Sequence, residues 1–228
     1  MTSALPRRLL YATIAFVAGL LGARALVPEA PAQLPLQRAV RWPDAPVLPR
    51  LDLVDETGKP FDGSAFHGRW TVVFFGFTSC PDICPSTLTV LAGTRRRLHD
   101  LPTALQPVVM LVTVDPERDD VAQLASYVRH FDPAFKAVTG QPEKIAQLAG
   151  ALHAAYSRVD LPGGAYTMDH ASSLFLIGPG GNLVATSGAP HDARVIADDY
   201  RALAGATAAA LAMTSVSSSD SWSTGLTR

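Results

Sequence analysis

The sequence predicts one α/β domain, a mixed sheet flanked by helices, behind an apolar N-terminal segment. Three observations predict it. Trp70–Phe77, Pro107–Val114 and Ser173–Ile177 are apolar on both alternating faces, as strands covered on both sides are. Stretches with helical patterning lie between and after them, the arrangement of an α/β domain. The 228 residues supply one sizeable core but not two ordinary domains plus a linker. Charged residues are 17% of the chain, against about 25% in typical domains, and the net charge is -1. With no basic surplus to neutralise a phosphate backbone, no nucleic acid partner is expected.

Residues 1–8 form a short N-terminus that ends on Arg7 and Arg8. Residues 9–27 carry no charge except Arg24, which is close enough to the end to snorkel to headgroups. Two readings fit, a spanning anchor and a cleavable signal whose Ala23-Arg24-Ala25 has the shape of a cleavage site. The fifteen uncharged residues from Leu9 to Ala23 are at the upper limit for a signal core, which favours the anchor. In either case the remainder leaves the cytoplasm, because eight residues cannot fold and long domains translocate largely regardless of charge. Residues 28–50 contain six prolines, read as an extended spacer that builds no core. Fully extended, at about 3.1 Å per residue, it would reach about 70 Å.

The domain is expected over 51–205. Leu51–Val54, a turn at Asp55–Gly58 and a return through Phe61 read as a hairpin. The first buried strand follows, then a helix at about Pro85–His99, the second buried strand, and a helix over Val121–Phe131. A short strand, a helix over Pro142–Tyr156, the third buried strand, Leu183–Thr186 and a helix over Asp192–Ala204 complete the order. The Ala- and Ser-rich residues 206–228 read as a fraying helix and a disordered tail.

Only two cysteines occur, Cys80 and Cys84, in the loop between the first buried strand and its helix. Such a pair excludes a disulfide scaffold and an all-cysteine zinc site. Proline favours the first helical position, so Pro85 is expected to open the helix with Cys84 as its cap. Amide donors and the positive helix end would then lower both thiol pKa values. Two intervening residues make the usual thiol-disulfide exchange motif. The three found here permit a disulfide and also let the sulfurs open to hold a metal between them.

A third ligand is sought among six histidines. His67, His99, His130, His153 and His191 fall where solvated or capping histidines are common. His170 lies just before the third buried strand, on a loop that reaches the cysteines if that strand neighbours the first, although a lone histidine at such a place is more often structural than a ligand. Two thiolates and an imidazole suit Cu(I), and Cu(II) with an added weak ligand, whereas zinc wants a fourth firm donor. Met168 is read as packing. Asp82 and Asp115 are read either as groups that orient ligands or as turn residues, with Asp120 capping a helix toward Gln123.

Gly76-Phe-Thr-Ser-Cys-Pro-Asp-Ile-Cys-Pro85, Val114-Asp-Pro-Glu-Arg-Asp119, Asp169-His170 and the following Phe-Leu-Ile-Gly-Pro-Gly-Gly resemble the Sco/SenC family of copper metallochaperones over roughly Leu51 to Ala204. The resemblance implies a thioredoxin-like fold, an extracytoplasmic domain tethered to a membrane, and copper held by Cys80, Cys84 and His170. It also implies a role at the dinuclear copper centre of cytochrome c oxidase subunit II, by delivering copper or by reducing its cysteines, with other copper chaperones or thiol reductants as further partners. Ala171 departs from the pattern, a hydroxyl residue being expected after the histidine.

Two rival readings use the same residues. In an extracytoplasmic thiol-disulfide reductase Cys80 and Cys84 would be the catalytic redox pair. Against it, the loop through Met168-Asp-His170 lacks the proline that thioredoxins place opposite their cysteines. A peroxiredoxin is disfavoured because Phe77 stands three residues before Cys80.

Overall fold

A computed structural model describes residues 35–43 and 45–219, together with Tyr11, Thr13, Phe16 and Gly19. It comprises two units, Met1–Leu34 and Pro35–Arg228. In the first, the four described residues are helical. The rest of the expected anchor, residues 9–27, lies outside the described residues, as do residues 220–228 of the tail. Among the described residues no helix is long and apolar enough to cross a membrane.

The second unit is built on an eight-stranded mixed sheet. In chain order its strands are β1 (Val40–Arg41), β2 (Leu53–Asp55), β3 (Pro60–Phe61), β4 (Thr71–Gly76), β5 (Val108–Thr113), β6 (Lys136–Thr139), β9 (Leu174–Ile177) and β10 (Leu183–Ser187). They lie in the order β1-β10-β9-β4-β5-β6-β2-β3. β4, β5 and β6 are parallel, and every other pairing is antiparallel. Four helices accompany the sheet, α1 (Ile83–Arg97), α2 (Val121–Phe131), α3 (Pro142–Ala151) and α4 (Ala193–Ser219). Every residue of β4 and β9 is buried, because both strands are central and covered on both faces. Phe74, Phe75, Leu111, Leu124, Ile145, Leu148 and Ile177 form the centre of the core. The mixed sheet flanked by helices is therefore the architecture expected, and the hairpin of β2 and β3 is present.

Five local expectations are corrected. First, residues 35–43 and 45–50 of the expected spacer are not free of the domain, while residues 28–34 lie outside the described residues. The Asp199 carboxylate on α4 accepts the N–H groups of Gln37, Arg38 and Ala39 at 2.6–2.9 Å. β1 pairs with β10, and Leu48 is buried. Prolines restrict the backbone but leave the side chains between them free to pack, and Leu36, Ala39 and Trp42 do so. Second, α3 ends at Ala151 and does not reach Tyr156. His153 takes a left-handed φ of 55°, and the Ala154 N–H bonds back to the Ala149 carbonyl, a terminating turn.

Third, α1 begins at Ile83 with Asp82 as its cap, so Cys84 lies inside the first turn and not at the boundary. Fourth, β7 (Tyr156–Asp160) and β8 (Tyr166–His170) form a separate antiparallel ribbon, closed by a short 3-10 turn at Pro162–Gly164. His170 is thus the last residue of a strand, where a loop was expected. Fifth, α4 continues to Ser219, so the fraying helix read beyond Ala204 is present and also takes in residues 214–219 of the tail expected to be disordered.

Candidate metal centre

β4 carries the chain to Gly76 at the carboxyl edge of the parallel strands, where open α/β sheets bind ligands. The chain then turns through Thr78–Asp82, with the Cys80 N–H on the Phe77 carbonyl at 3.3 Å, and enters α1. Cys84 is fully buried and Cys80 partly so, and both are free thiols. The Cys84 N–H donates to Cys80 Sγ at 3.4 Å, so the first turn of α1 is closed by a sulfur. Gly76 makes room for this packing, since a Cβ there would come within 2.8 Å of Cys84 Sγ.

β9 lies next to β4, and this pairing returns the end of β8 to the cysteines, as the sequence reading required. His170 Nε2 is 3.4 Å from Cys84 Sγ, while Nδ1 is 3.1 Å from the Ala171 carbonyl. A carbonyl can only accept, so Nδ1 carries the proton and Nε2 presents its lone pair to the sulfur. The rings of Phe74 and Phe77 meet the imidazole edge-on at 5.8 and 5.9 Å and hold its plane. The donor atoms of Cys80, Cys84 and His170 all lie within 4.8 Å of one another, the one such three-residue cluster among the described residues. Two soft sulfurs and a neutral imidazole form a donor set that fits copper.

Electrostatics here follow burial. Desolvation pushes the Cys84 thiol well above its ordinary range, with Cys80 and Asp119 adding to the rise against a lowering hydrogen bond from Phe77. The expected lowering by the helix end is therefore overturned for Cys84, because a fully buried sulfur loses more from leaving water than the helix end returns. Burial likewise lowers the His170 pKa, which keeps the imidazole neutral and able to ligate.

The other histidines lie outside the cluster. His153 stacks on Trp42 at 5.2 Å, and His191 bonds the Ser172 carbonyl at 2.7 Å. Met168 packs against the core. Asp82 is exposed and makes no capping bond, whereas Asp120 does cap α2 toward Gln123. Asp115 is buried and bonded to Tyr166 and Arg118.

Asp119 was not singled out by sequence. Its fully buried carboxylate accepts from the Thr78 N–H, the Thr78 hydroxyl and the Thr113 hydroxyl, the last two at 2.6 Å, and so ties the start of the cysteine loop to the end of β5. Burial raises its pKa. The signal available was its position, in a short acidic loop directly after a doubly apolar strand.

The chain is similar to several known proteins. The SCO1/SenC family model matches residues 43–205. A mitochondrial SCO2 homolog of Mus musculus is 38% identical over 155 residues, covering 66% of this chain and 60% of that protein. The mitochondrial SCO1 homolog 1 of Arabidopsis thaliana is 34% identical over 148 residues, covering 65% of this chain and 44% of that protein. The chain thus spans about half the length of these relatives. The crystal structure of Arabidopsis thaliana ScoI with copper bound matches with a TM-score of 0.64 at 31% identity, over 69% of this chain and 98% of that one. The family match runs from the segment before β2 into α4 and encloses both cysteines and His170, and the chain belongs to the SCO1/SenC family.

Proposed function

We propose that the domain is a copper carrier that binds one ion through the Cys80 and Cys84 thiolates and His170 Nε2. The observation that carries this reading is the approach of three soft or borderline donors to within 4.8 Å, with the imidazole tautomer already set for ligation. Copper bound in the Arabidopsis relative supports it. Cys84 is a thiol before loading, so binding exchanges a proton for the ion, and the buried charge it creates is neutralised on the spot. The client proposed is cytochrome c oxidase, at the dinuclear copper centre of its subunit II. Residues 9–27 would tether the carrier to the membrane with the domain on the extracytoplasmic side, raising its effective concentration near a membrane-bound client. A second reading, a thiol-disulfide reductase acting on client cysteines, draws support from the two free thiols side by side, the more exposed Cys80 being the attacking sulfur.

A Cys80–Cys84 disulfide consumes two of the three ligands, so oxidation state should gate loading. Competitive Cu(I) titration of reduced and disulfide-bonded protein, with thiol counting alongside, tests this. One copper per reduced chain and none per oxidised chain is expected. Undiminished loading of the fully oxidised protein would overturn the ligand set.

A further inference from the structure

His170 sits on an element that shares no strand pairing with the main sheet. β7 and β8 pair only with each other, and β7 is exposed from Ser157 to Asp160. His170 ends β8 opposite Tyr156, while Tyr166, at the other end of β8, stands opposite Asp160. That far end is fastened to the loop after β5 largely through one guanidinium. Arg118 Nε pairs with a carboxylate oxygen of Asp115, whose other oxygen accepts the Tyr166 hydroxyl at 2.9 Å. Arg118 Nη1 donates to the Tyr166 carbonyl at 3.1 Å, and its Cζ lies 3.8 Å from the Tyr166 ring centroid. Arg158 of β7 lies over the same ring at 3.7 Å and pairs with Asp160 at 3.0 Å and Glu117 at 3.5 Å.

Arg118 Cζ is also 5.9 Å from the centroid of Phe77, the ring that meets His170 edge-on. One planar cation therefore touches both the arm that bears the imidazole and the residue that leads into the cysteine loop. Two hydrogen-bonding directions and a stacking face are needed at once, which a guanidinium supplies and an ammonium does not.

We propose that Arg118 is a positioning residue for copper. Acting through Tyr166 and Asp115, it holds β8 so that His170 Nε2 stays at the sulfurs, and so sets whether the ion has three donors or two sulfurs alone. The inference rests on the carrier reading and deepens it. The two oxidation states separate the consequences. Cu(I) is held adequately by two thiolates, whereas Cu(II) depends on the nitrogen donor. Loosening the arm should therefore cost Cu(II) far more than Cu(I).

The test uses the full chain and its variants Arg118→Ala, Arg118→Lys and Tyr166→Phe, with His170→Ala as the reference for a lost nitrogen ligand. Cu(II) and Cu(I) affinities are measured by competition, and nitrogen hyperfine coupling by electron paramagnetic resonance. Arg118→Ala should weaken Cu(II) by about 10–100-fold, lose much of the nitrogen coupling, and leave Cu(I) binding nearly unchanged. Arg118→Lys should resemble the alanine variant, and Tyr166→Phe, which keeps the stacking and loses one hydrogen bond, should fall between it and wild type. Wild-type coupling and Cu(II) affinity in Arg118→Ala would overturn the inference. So would an equal loss for both oxidation states accompanied by a fall in melting temperature, the mark of a merely structural residue. Wild type that takes up no copper would overturn the carrier reading and this inference together, whereas wild type that loads while Arg118→Ala matches it overturns this inference alone.

Discussion

Cys84 owes its place to a missing side chain. A Cβ at Gly76 would stand 2.8 Å from Cys84 Sγ, 3.0 Å from Phe74 and 3.2 Å from Leu111, none of which has room to retreat in a closed core. Gly76→Ala should lower stability by about 1–3 kcal/mol and weaken Cu(I) binding by displacing the sulfur. Urea unfolding of the apoprotein and a Cu(I) competition assay read the two effects separately, and wild-type copper affinity in this variant would contradict the packing argument. The buried histidines give a pH signature. Desolvation lowers the pKa of both His170 and His191 from the usual 6.5. A depressed folded-state pKa contributes stability that is present above the unfolded value and is lost as pH falls toward the folded one. Apoprotein stability should therefore decline as pH drops below 6.5, and the combined His170→Ala and His191→Gln variant should lack that part of the decline. Equal slopes for the two proteins between about pH 8 and 5 would show that the imidazoles are not buried as described. That Cys80, Cys84 and His170 come together was legible, the cysteines because the chain has only two and His170 because it alone of six histidines lies just before the third buried strand. The chemistry of Cys84 was not, because spacing reports the helix end but not the loss of water around the sulfur.

At the scale of elements, legibility followed burial. β4, β5 and β9 announce themselves as runs apolar on both faces. The ribbon does not, since Tyr-Ser-Arg-Val-Asp and Tyr-Thr-Met-Asp-His have no continuous apolar face and become strands by pairing with each other. The segment before β2 misled for the opposite reason. Its prolines advertise a spacer, while Trp42 stacks on His153 and Asp199 gathers three successive N–H groups. Asp199→Ala leaves those donors without their acceptor, at a cost on the order of 1–3 kcal/mol. Limited proteolysis should then cut between residues 35 and 50 faster than in wild type. An unchanged cleavage pattern would mean that β1 and β10 hold the segment without help from α4.

For the whole molecule, the proposed tether joins the site to its client. Membrane fractionation with a carbonate wash should leave the mature chain in the pellet, and N-terminal sequencing should find residues 9–27 retained. A soluble form beginning near Leu26 would establish cleavage and remove the tether, without touching the copper site. The proposed copper-carrying role stands on the ligand set. X-ray absorption of the protein loaded with one Cu(I) measures it most directly, because it counts sulfur and nitrogen neighbours of the ion itself. The arrangement of Cys80, Cys84 and His170 within 4.8 Å predicts two sulfurs and one imidazole nitrogen, with the nitrogen absent in His170→Ala. A shell without both sulfurs, or one that His170→Ala leaves unchanged, would contradict it.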